Sequence, residues 1–421
     1  MTNEAAICNS QIAASRFFCL PLMKKEMRKI TIVLSFMLLI VSCGLDELGE
    51  KQHANSEGIW KSPALDRYDP EICYSAGLDY PEGHDWKSSP DDSLVKVSLV
   101  MFADGEPVLR VPAGKDVYVS PDPSRHRILK GHLYTDYTDG ASTVVKRDGK
   151  EVFRYEGAEE VIDMLVHKDE VHHLGRPRDS GGFCYRVNGE EIISRAEGRL
   201  FSTFREVDGE VCFFFAQTAM ASEGKKDAYY MVRNGKVGRL DVDDDLTEVW
   251  DIMLACGDTV LIASSPESAV PMLIKGGERI SMESKFMAET VSCRFLNSDE
   301  LCVIMRLKYP MYSNLMADVL WAGYTEWKLF GILDLISAAY AGSQGYCVAV
   351  NPSSGDSGTI FLNDERFSMP DGYSVYTEDC VACRDSLLYV GLSAGPGRKP
   401  MIWRNGIMDT LDMNGPVTFL Q

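Results

Sequence analysis

Short apolar runs and polar turns alternate along the chain from Leu94 to its last residue. The runs are rich in Val, Ile, Tyr and Phe, which is the pattern of β-strands bounded by turns. The clearest example is Ile402 to Leu411, where Asn405-Gly406 joins two such runs. Asn and Gly both tolerate a positive φ, so this pair predicts a tight β-hairpin. No long helical period stands out, although residues 324–339 are ambiguous, and we expect an all-β fold.

Hairpin signals of this type recur at intervals of 40 to 46 residues. They are Asp104-Gly105, Asp148-Gly149, Asn188-Gly189, Asn234-Gly235, Gly276-Gly277, Ala322-Gly323, Asn363-Asp364 and Asn405-Gly406. A second series lies between them: Lys130-Gly131, Lys168-Asp169, Asp208-Gly209, Gly257-Asp258, Ser298-Asp299, Ser343-Gln344 and Arg384-Asp385. Two hairpins in each unit of about 43 residues make four strands, which is the period of a propeller blade.

A ring lets these thin units cover one another. One four-stranded meander leaves both faces in water, whereas radially arranged sheets bury each face against a neighbour. We therefore predict a β-propeller of four-stranded blades in residues 94–421. The first series has one turn more than seven closed blades need, so we expect seven blades, with the first and last hairpins sharing one. Six blades, eight blades and a solenoid of stacked β-units are the alternatives.

The N-terminal segment predicts export. Basic residues precede the apolar run from Ile30 to Val41, which is too short to span a bilayer but suits a secretory signal. The following Ser42-Cys43 completes a resemblance to the lipobox of bacterial lipoproteins, which implies cleavage before Cys43 and lipid attachment to its thiol. Residues 1–42 are thus a predicted lipoprotein-type signal peptide, with an ordinary cleaved signal as the alternative.

Two further segments flank this signal. Residues 1–22 fit no signal peptide and suggest that the true start is Met23 or Met27. Residues 43–93 are polar, with scattered Gly, Pro and Asp, and we interpret them as a tether and an irregular lead-in. Their acidic start resembles the signal that sends some lipoproteins of the Bacteroides group to the cell surface, and a solvated tether is the alternative.

The charge balance narrows the range of partners. Cleavage before Cys43 leaves 38 basic and 60 acidic residues and a formal charge of −22. Such a surface repels phosphate backbones and anionic headgroups, so nucleic acid is not an expected partner. Cations and neutral ligands remain possible binding partners.

Cysteine usage indicates packing more than cross-linking. An odd number, nine, remains once Cys43 is lipidated, so all of them cannot pair. Free cysteine packs as a small hydrophobe, and we take that as the main interpretation. Cys293 and Cys302, which flank a predicted turn, are the one specific disulfide candidate. Cys380-Val-Ala-Cys383 has the spacing of a redox motif but lacks the helix that such motifs use.

Ser354-Gly-Asp356-Ser-Gly358-Thr-Ile-Phe361 matches the Asp-box pattern Ser-x-Asp-x-Gly-x-x-aromatic. Asp179-Ser-Gly181 is a degenerate second copy. In propellers that carry it, such as sialidases, the box forms a structural turn between the outer strands of a blade. The resemblance therefore implies the fold and no sialidase activity, because no arginine triad for a sialic acid carboxylate is recognisable.

The remaining chemical candidates are weak. The acidic run from Asp241 to Asp245 could offer oxygens to calcium, but it lacks the glycine and terminal glutamate of an EF-hand, and a solvated loop explains it better. His172 and His173 are adjacent in a strand, so their rings point to opposite faces and cannot chelate one metal together. We predict neither a metal site nor a cofactor.

The lipobox and the Asn-Gly hairpin repeats together resemble β-propeller-like lipoproteins of the Bacteroides group. Two function classes follow. We favour a lipid-anchored, non-catalytic binding or protein-interaction module of the outer membrane, facing the periplasm or the cell surface. It would act as a monomer on a carbohydrate or an envelope protein through loops on one face of the ring. The alternative is an envelope glycan-acting hydrolase with carboxylates at the central opening.

Overall fold

The computed structural model describes residues 59–62, 65, 68–88, 95–112, 126–178, 180–201, 204–217, 227–255, 257–265, 268–282, 288–296, 301–309, 315–322, 326–329, 335–342, 345–351, 357–363, 365–384 and 386–421. The predicted signal peptide, the lipidation site Cys43 and about half of the tether and lead-in lie outside these ranges. So do Asp179, Ser354 and Asp356 of the Asp-box-like segments.

The strands of these residues form eight antiparallel sheets, numbered here in chain order. Sheet 1 contains β1 (Trp60–Lys61), β2 (Tyr74–Asp79), β3 (Ser98–Ala103) and β4 (Glu106–Pro112). Sheet 2 contains β5 (His126–Leu129), β6 (His132–Asp139), β7 (Ser142–Arg147) and β8 (Lys150–Glu156). Sheet 3 contains β9 (Glu159–His167), β10 (Glu170–Pro177), β11 (Phe183–Val187) and β12 (Glu190–Arg195). Sheet 4 contains β13 (Arg199–Leu200), β14 (Arg205–Val207), β15 (Glu210–Gln217), β16 (Ala228–Arg233) and β17 (Lys236–Arg239).

The second half of the chain repeats this arrangement. Sheet 5 contains β18 (Glu248–Ala255), β19 (Asp258–Ser265), β20 (Ser268–Lys275) and β21 (Glu278–Ser281). Sheet 6 contains β22 (Glu289–Phe295), β23 (Cys302–Tyr309), β24 (Leu315–Ala322) and β25 (Glu326–Leu329). Sheet 7 contains β26 (Ile336–Gly342), β27 (Gly345–Val350), β28 (Thr359–Leu362) and β29 (Glu365–Ser368). Sheet 8 contains β30 (Tyr373–Ser374), β31 (Val381–Arg384), β32 (Leu387–Ala394), β33 (Met401–Arg404) and β34 (Ile407–Thr410), and the last strand, β35 (Val417–Leu420), joins sheet 1.

The tight turns within the described ranges lie where the sequence predicts them, whereas Ser298-Asp299, Ser343-Gln344, Gly323, Asp364 and Asp385 of the two series lie outside those ranges. Both central residues have positive φ at Asp148-Gly149, Asn188-Gly189, Asn234-Gly235 and Asn405-Gly406, with values from 42° at Asn405 to 93° at Gly406. Such angles define the turn whose twist matches that of a two-stranded ribbon. In the second series, two turns lie one residue from their predicted positions, because Asp258 and Arg384 already belong to strands.

The ring is closed by the two ends of the described chain. β35 pairs with β2 in sheet 1 and also contacts β31 of sheet 8 and β5 of sheet 2. First strands of successive sheets likewise meet between sheets 2 and 3 and between sheets 5 and 6, so they form the inner wall of a β-propeller. The predicted fold class is therefore confirmed.

The described sheets number eight, against the seven that we expected and within the stated alternatives. Each hairpin of the first series belongs to a sheet of its own, including the last one, which joins β33 to β34. The single strand β35, not a whole hairpin, completes sheet 1. Sheet 1 also begins before the predicted boundary at residue 94, because β1 and β2 are two of its strands.

Apolar cores fill the seams between neighbouring sheets. At the seam of sheets 3 and 4, for example, the ring of Phe183 lies 5.9 Å from that of Phe213 and 5.0 Å from that of Phe215. Seven clusters of buried side chains cover all eight seams, since the largest cluster spans both sides of sheet 8. Trp321 and Trp403 are fully buried in these clusters, which makes them core residues.

Polar side chains cross the same seams close to the inner strands. In order from the seam between sheets 1 and 2 to the seam between sheets 8 and 1, one hydrogen-bonded pair crosses each seam. The pairs are His126 with Thr418, Arg127 with Ile162, Asp163 with Phe204, Arg199 with Val249, Asp251 with Phe295, Asp318 with Ile336, Asn351 with Val375, and Thr377 with Thr418. Seven of these eight bonds involve a backbone group of the next sheet. Each such bond satisfies a backbone group at the inner wall that strand pairing leaves open.

Four glycines of the first turn series, Gly149, Gly189, Gly235 and Gly406, also lie close to the preceding sheet. A Cβ on Gly189 would lie 3.1 Å from the Phe153 ring of sheet 2, and one on Gly235 would lie 3.1 Å from Ile192 of sheet 3. Glycine is thus required there for its φ and for the close approach of the outer strand.

The substitution Gly189→Ala should cost more stability than Gly105→Ala. Both glycines have almost the same φ, +85° and +87°, but nothing lies within 4 Å of a Cβ on Gly105. The left-handed backbone costs about 1 to 2 kcal/mol for a non-glycine residue in either case. Displacing the Phe153 ring should increase the loss of stability in Gly189→Ala by about 1 kcal/mol or less. Urea unfolding of both variants measures the difference, and equal losses would mean that the Phe153 ring gives way freely.

Candidate functional site

The antiparallel order sends the connections to two opposite faces of the ring. Turns between first and second strands and between third and fourth strands lie at the same end, since the chain reverses at each. We call this end the turn face. The connections between second and third strands and between successive sheets lie at the other end, the loop face. Several of these connections are longer than the tight turns, as residues 240–247 illustrate, so the loop face has more freedom to form a binding surface.

A cleft of about 1490 Å³ opens on the loop face at the seam between sheets 4 and 5. It is formed by the start of β13, the start of β16, the end of β17 and the chain that leads into β18. The lining residues are 199, 227–229, 239–244 and 246–249. This volume exceeds the roughly 300 to 1,000 Å³ of pockets for small ligands, and it suits an extended ligand better.

The lining of the cleft includes Arg199 and the ring of Tyr229, and Phe201 lies next to both of them. The Arg199 guanidinium lies 4.5 Å from the centre of the Phe201 ring and donates a hydrogen bond to the carbonyl of Val249 at 2.5 Å. The Tyr229 ring lies 5.9 Å from that of Phe201. Burial raises the pKa of Tyr229, and the nearby Asp227 carboxylate raises it further. Tyr229 is therefore a protonated, half-buried hydroxyl beside carboxylates.

The rim of the cleft is acidic. We call residues 241–245, which link sheet 4 to sheet 5, the acidic connection; its four aspartates are exposed, as expected of a solvated loop. Arg279 of β21 donates to Asp243 at 2.6 Å and to both oxygens of Asp245 at 2.6 and 2.7 Å. Among the residues that the structure describes, no three His, Cys, Asp or Glu side chains converge as a metal site.

Charged side chains of alternating sign line the inner wall. Going round the ring, sheets 2 to 6 present Arg127, Asp163, Arg205, Asp251 and Arg294 on or beside their first strands. Arg127 forms an ion pair with Asp163 at 2.7 Å.

Two of these arginines reach past a neighbouring sheet. Arg205 donates to the carbonyl of Leu296 at 3.0 Å, beyond sheet 5, and Arg294 pairs with Glu378 at 2.9 Å, beyond sheet 7. These two arginines are therefore held by partners on more distant sheets.

Asp163 and Asp251 hold equivalent positions two sheets apart. Each carboxylate accepts the N–H of the next residue at 2.8 Å, and each accepts an N–H from the following sheet, Phe204 at 2.6 Å or Phe295 at 2.8 Å. Both aspartates are buried. Their oxygens are thus engaged in joining sheets, which leaves little of either carboxylate for a substrate.

Burial raises the pKa of Asp251 to about 6, against the opposing effect of the two backbone N–H groups. Because the folded pKa lies above the unfolded one, folding takes up a proton. The stability that protonated Asp251 confers is full below about pH 4 and is lost as the pH rises through about 6. A shift of this size corresponds to about 3 kcal/mol.

We expect Asp251→Asn to remove this dependence. The free energy of unfolding of the variant, measured in urea between pH 4.5 and 7.5, should fall less with rising pH than that of the parent. Asp258→Asn, an exposed aspartate of the next strand, is the matched control and should leave the slope unchanged. Parallel pH profiles for the parent and Asp251→Asn would contradict the assignment.

A second polar cluster is buried between sheets 2 and 3. Arg186 donates to Glu159 at 2.8 Å, Tyr155 donates to the other Glu159 oxygen at 3.1 Å, and His173 lies 3.0 Å from the Tyr155 hydroxyl. Burial lowers the pKa of His173 to about 3, so its ring is neutral. His172 lies on the opposite face of the strand, 2.7 Å from the Tyr185 hydroxyl, as its position in the sequence predicts.

The two Asp-box-like glycines within the described ranges lie on the loop face. Gly358 ends the connection between β27 and β28, with Phe361 inside β28, and Gly181 lies between β10 and β11, where it bridges to Glu197. Both copies thus join second and third strands, whereas the resemblance implied a turn between outer strands. The outer-strand turns of these sheets are the Asn-type turns of the first series.

The structure does not bring the predicted disulfide pair together. Cys293 lies opposite Met305, and Cys302 lies opposite Ala322, so the two cysteines are out of register. Both cysteines are buried and neither forms a disulfide, and burial raises the pKa of Cys293 above its ordinary range. Cys380 is likewise buried, with its sulfur 3.2 Å from the carbonyl of Val417 at the closing seam. These cysteines pack as small side chains, as expected.

Sequence reasoning missed the inner-wall charges, although one signal was present. Glu160-Val161-Ile162-Asp163 and Glu248-Val249-Trp250-Asp251 share a pattern and lie two repeat units apart.

Within the described residues, no helix has the length and hydropathy needed to cross a bilayer.

No family model and no curated protein sequence matches the chain. Solved structures resemble it at low identity. The β-propeller domain of the Trilobed protease from Pyrococcus furiosus is 9% identical with a TM-score of 0.44, over 71% of this chain and 94% of that chain. The dihydro-heme d1 dehydrogenase NirN is 14% identical with a TM-score of 0.45, over 86% and 76%. An acylaminoacyl peptidase from Pyrococcus horikoshii is 12% identical with a TM-score of 0.41, over 76% and 57%. The fold assignment rests on the strand pairing and ring closure described above.

Proposed function

We propose that this β-propeller is a lipid-anchored binding module of the cell envelope, and that its ligand occupies the cleft between sheets 4 and 5. The cleft is the observation that carries the proposal, because it is large, open on the loop face and lined mainly by polar side chains around the ring of Tyr229. Polar groups that converge on a cleft fix the orientation of a ligand.

The state of the inner-wall carboxylates supports binding over hydrolysis. Glycoside hydrolysis needs two carboxyl groups that face the substrate, about 5 to 9.5 Å apart. Asp163 and Asp251 instead accept backbone N–H groups, and Glu378 is paired with Arg294.

A steric block tests the binding site. Ala228 begins β16 and lines the cleft, so Ala228→Trp should fill it. Ser142→Trp is the matched control, because Ser142 begins the equivalent third strand of sheet 2. The mature chain would be screened on glycan arrays and on arrays of basic, neutral and acidic peptides. Loss of binding in Ala228→Trp alone is expected, and equal binding by both variants would overturn the location.

The anchor has its own test. Cys43→Ala should move the protein from the membrane fraction to the soluble fraction, because the variant lacks the thiol that would carry the lipid. Unchanged fractionation would remove the lipid anchor from the proposal without affecting the cleft.

A glycan-acting hydrolase is the second candidate, and the raised pKa of Asp251 favours it. A carboxyl group with a pKa of about 6 is suited to donate a proton near neutral pH. Release of reducing ends from envelope polysaccharides, abolished by Asp251→Asn in a folded protein, would establish this alternative. Binding without such release supports the module.

A further inference from the structure

The cleft carries an excess of negative charge. Its lining includes the carboxylates of Asp227, Asp241, Asp243, Asp244 and Glu248, against the guanidinium groups of Arg199 and Arg239. Arg199 is already engaged, since it lies over Phe201 and donates to the backbone of Val249. A ligand in the cleft therefore meets mainly carboxylates.

The same region already holds one guanidinium group. Arg279 approaches from β21 and forms three hydrogen bonds with Asp243 and Asp245, in the forked arrangement that makes arginine a strong carboxylate partner. Asp241 and Asp244 of the same acidic connection are exposed on the cleft side. The acidic connection thus has carboxylates beyond those that Arg279 uses.

The Tyr229 ring suits the apolar stem of a basic side chain. Tyr229 lines the cleft and is half-buried, and Arg199 of the same lining makes a cation–π contact with the adjacent Phe201. Lysine and arginine lay their apolar stems on such rings while their charged ends reach carboxylates.

We infer that the ligand of this cleft is a basic peptide segment, a stretch of a partner protein that presents lysine and arginine side chains. The inference rests on the proposed binding function and adds the ligand class. The size of the cleft favours an extended chain, its charge selects cations, and its Tyr229 ring accepts an apolar stem. The overall acidity of the protein, with a formal charge of −19 for the full chain, would speed the encounter with a basic partner at low salt.

The experiment compares two double variants, each of which removes two negative charges from a different part of the surface. Asp241→Asn/Asp244→Asn neutralises the exposed part of the acidic connection. Glu190→Gln/Glu365→Gln neutralises two exposed residues on the outer strands β12 and β29. Titration calorimetry of the mature chain would use a dodecapeptide of alternating Arg and Gly, a Ser and Gly peptide of equal length, and a neutral oligosaccharide.

The basic peptide alone should bind the parent protein. Its affinity should fall by about tenfold in the aspartate variant and little in the control, and a rise from 50 to 300 mM NaCl should weaken it further. Equal weakening in both variants would overturn the inference, because it would reduce the effect to net charge. Binding of the oligosaccharide, blocked by Ala228→Trp but not by the charge variant, would overturn the ligand class and keep the binding site. Ligand binding that Ala228→Trp leaves intact would overturn both.

Discussion

Replacing Arg186 with Met should destabilise the protein by about 4 kcal/mol, because it leaves the Glu159 carboxylate buried without its cation. Glu159 is 4% exposed and Arg186 is 8% exposed, so water cannot compensate. The guanidinium also lies 4.3 Å from the centre of the Tyr155 ring, and that contact is lost with the charge. Urea unfolding at neutral pH measures the effect.

Arg154→Met is the matched control. Arg154 belongs to the neighbouring β8 and pairs with Asp139 and Glu151, but all three side chains are exposed. Exposed pairs contribute about 0 to 1 kcal/mol, so the control should lose little. The double variant Glu159→Met/Arg186→Met should recover part of the stability, because it leaves no unpaired charge. Similar losses in Arg186→Met and Arg154→Met would show that water reaches the buried cluster.

Ending the chain at Pro416 should abolish cooperative folding. The truncation removes β35, which is the inner strand of sheet 1 and contacts sheets 8 and 2. Val417, Phe419 and Leu420 are buried, and losing each costs about 1.5 to 3 kcal/mol of hydrophobic stabilisation. Their sum approaches the 5 to 15 kcal/mol that stabilises a typical domain. The near-ultraviolet circular dichroism of the truncated chain should lack a sharp thermal transition.

The outer edge of the neighbouring sheet provides the control. β34 also has four residues, but all are exposed, with Ile407 at 57% and Met408 at 39%. Ile407→Ser/Met408→Ser should therefore change stability by less than about 1 kcal/mol. A truncated chain that melts as sharply as the parent would mean that the ring does not depend on its closing strand.

The comparison of sequence and structure separates local signals from distant ones. The turns were predictable because the φ values that Asn188-Gly189 and Asn405-Gly406 require are a property of those residues themselves. The number of sheets was not predictable, because it depends on whether β35 or a whole hairpin completes sheet 1. A four-residue strand such as Val417–Leu420 carries no mark of the strand with which it will pair.

The candidate site shows the same division. The acidic connection was visible in the sequence, and its exposure follows from its composition. The cleft beside it was not visible, because Arg199, Tyr229 and Glu248 come from three strands that only the seam between sheets 4 and 5 assembles. Likewise, Glu159 and Arg186 lie 27 residues apart, with no local pattern to relate them.

The sequence by itself determined the strands, their turns and the four-stranded repeat, since backbone preference and apolar alternation act over a few residues. The tertiary structure alone decided the number of sheets, the closure by β35 and the grouping of charges at the seams. Those features arise from contacts between sheets, and the free energy of such contacts depends on which distant residues come to face one another.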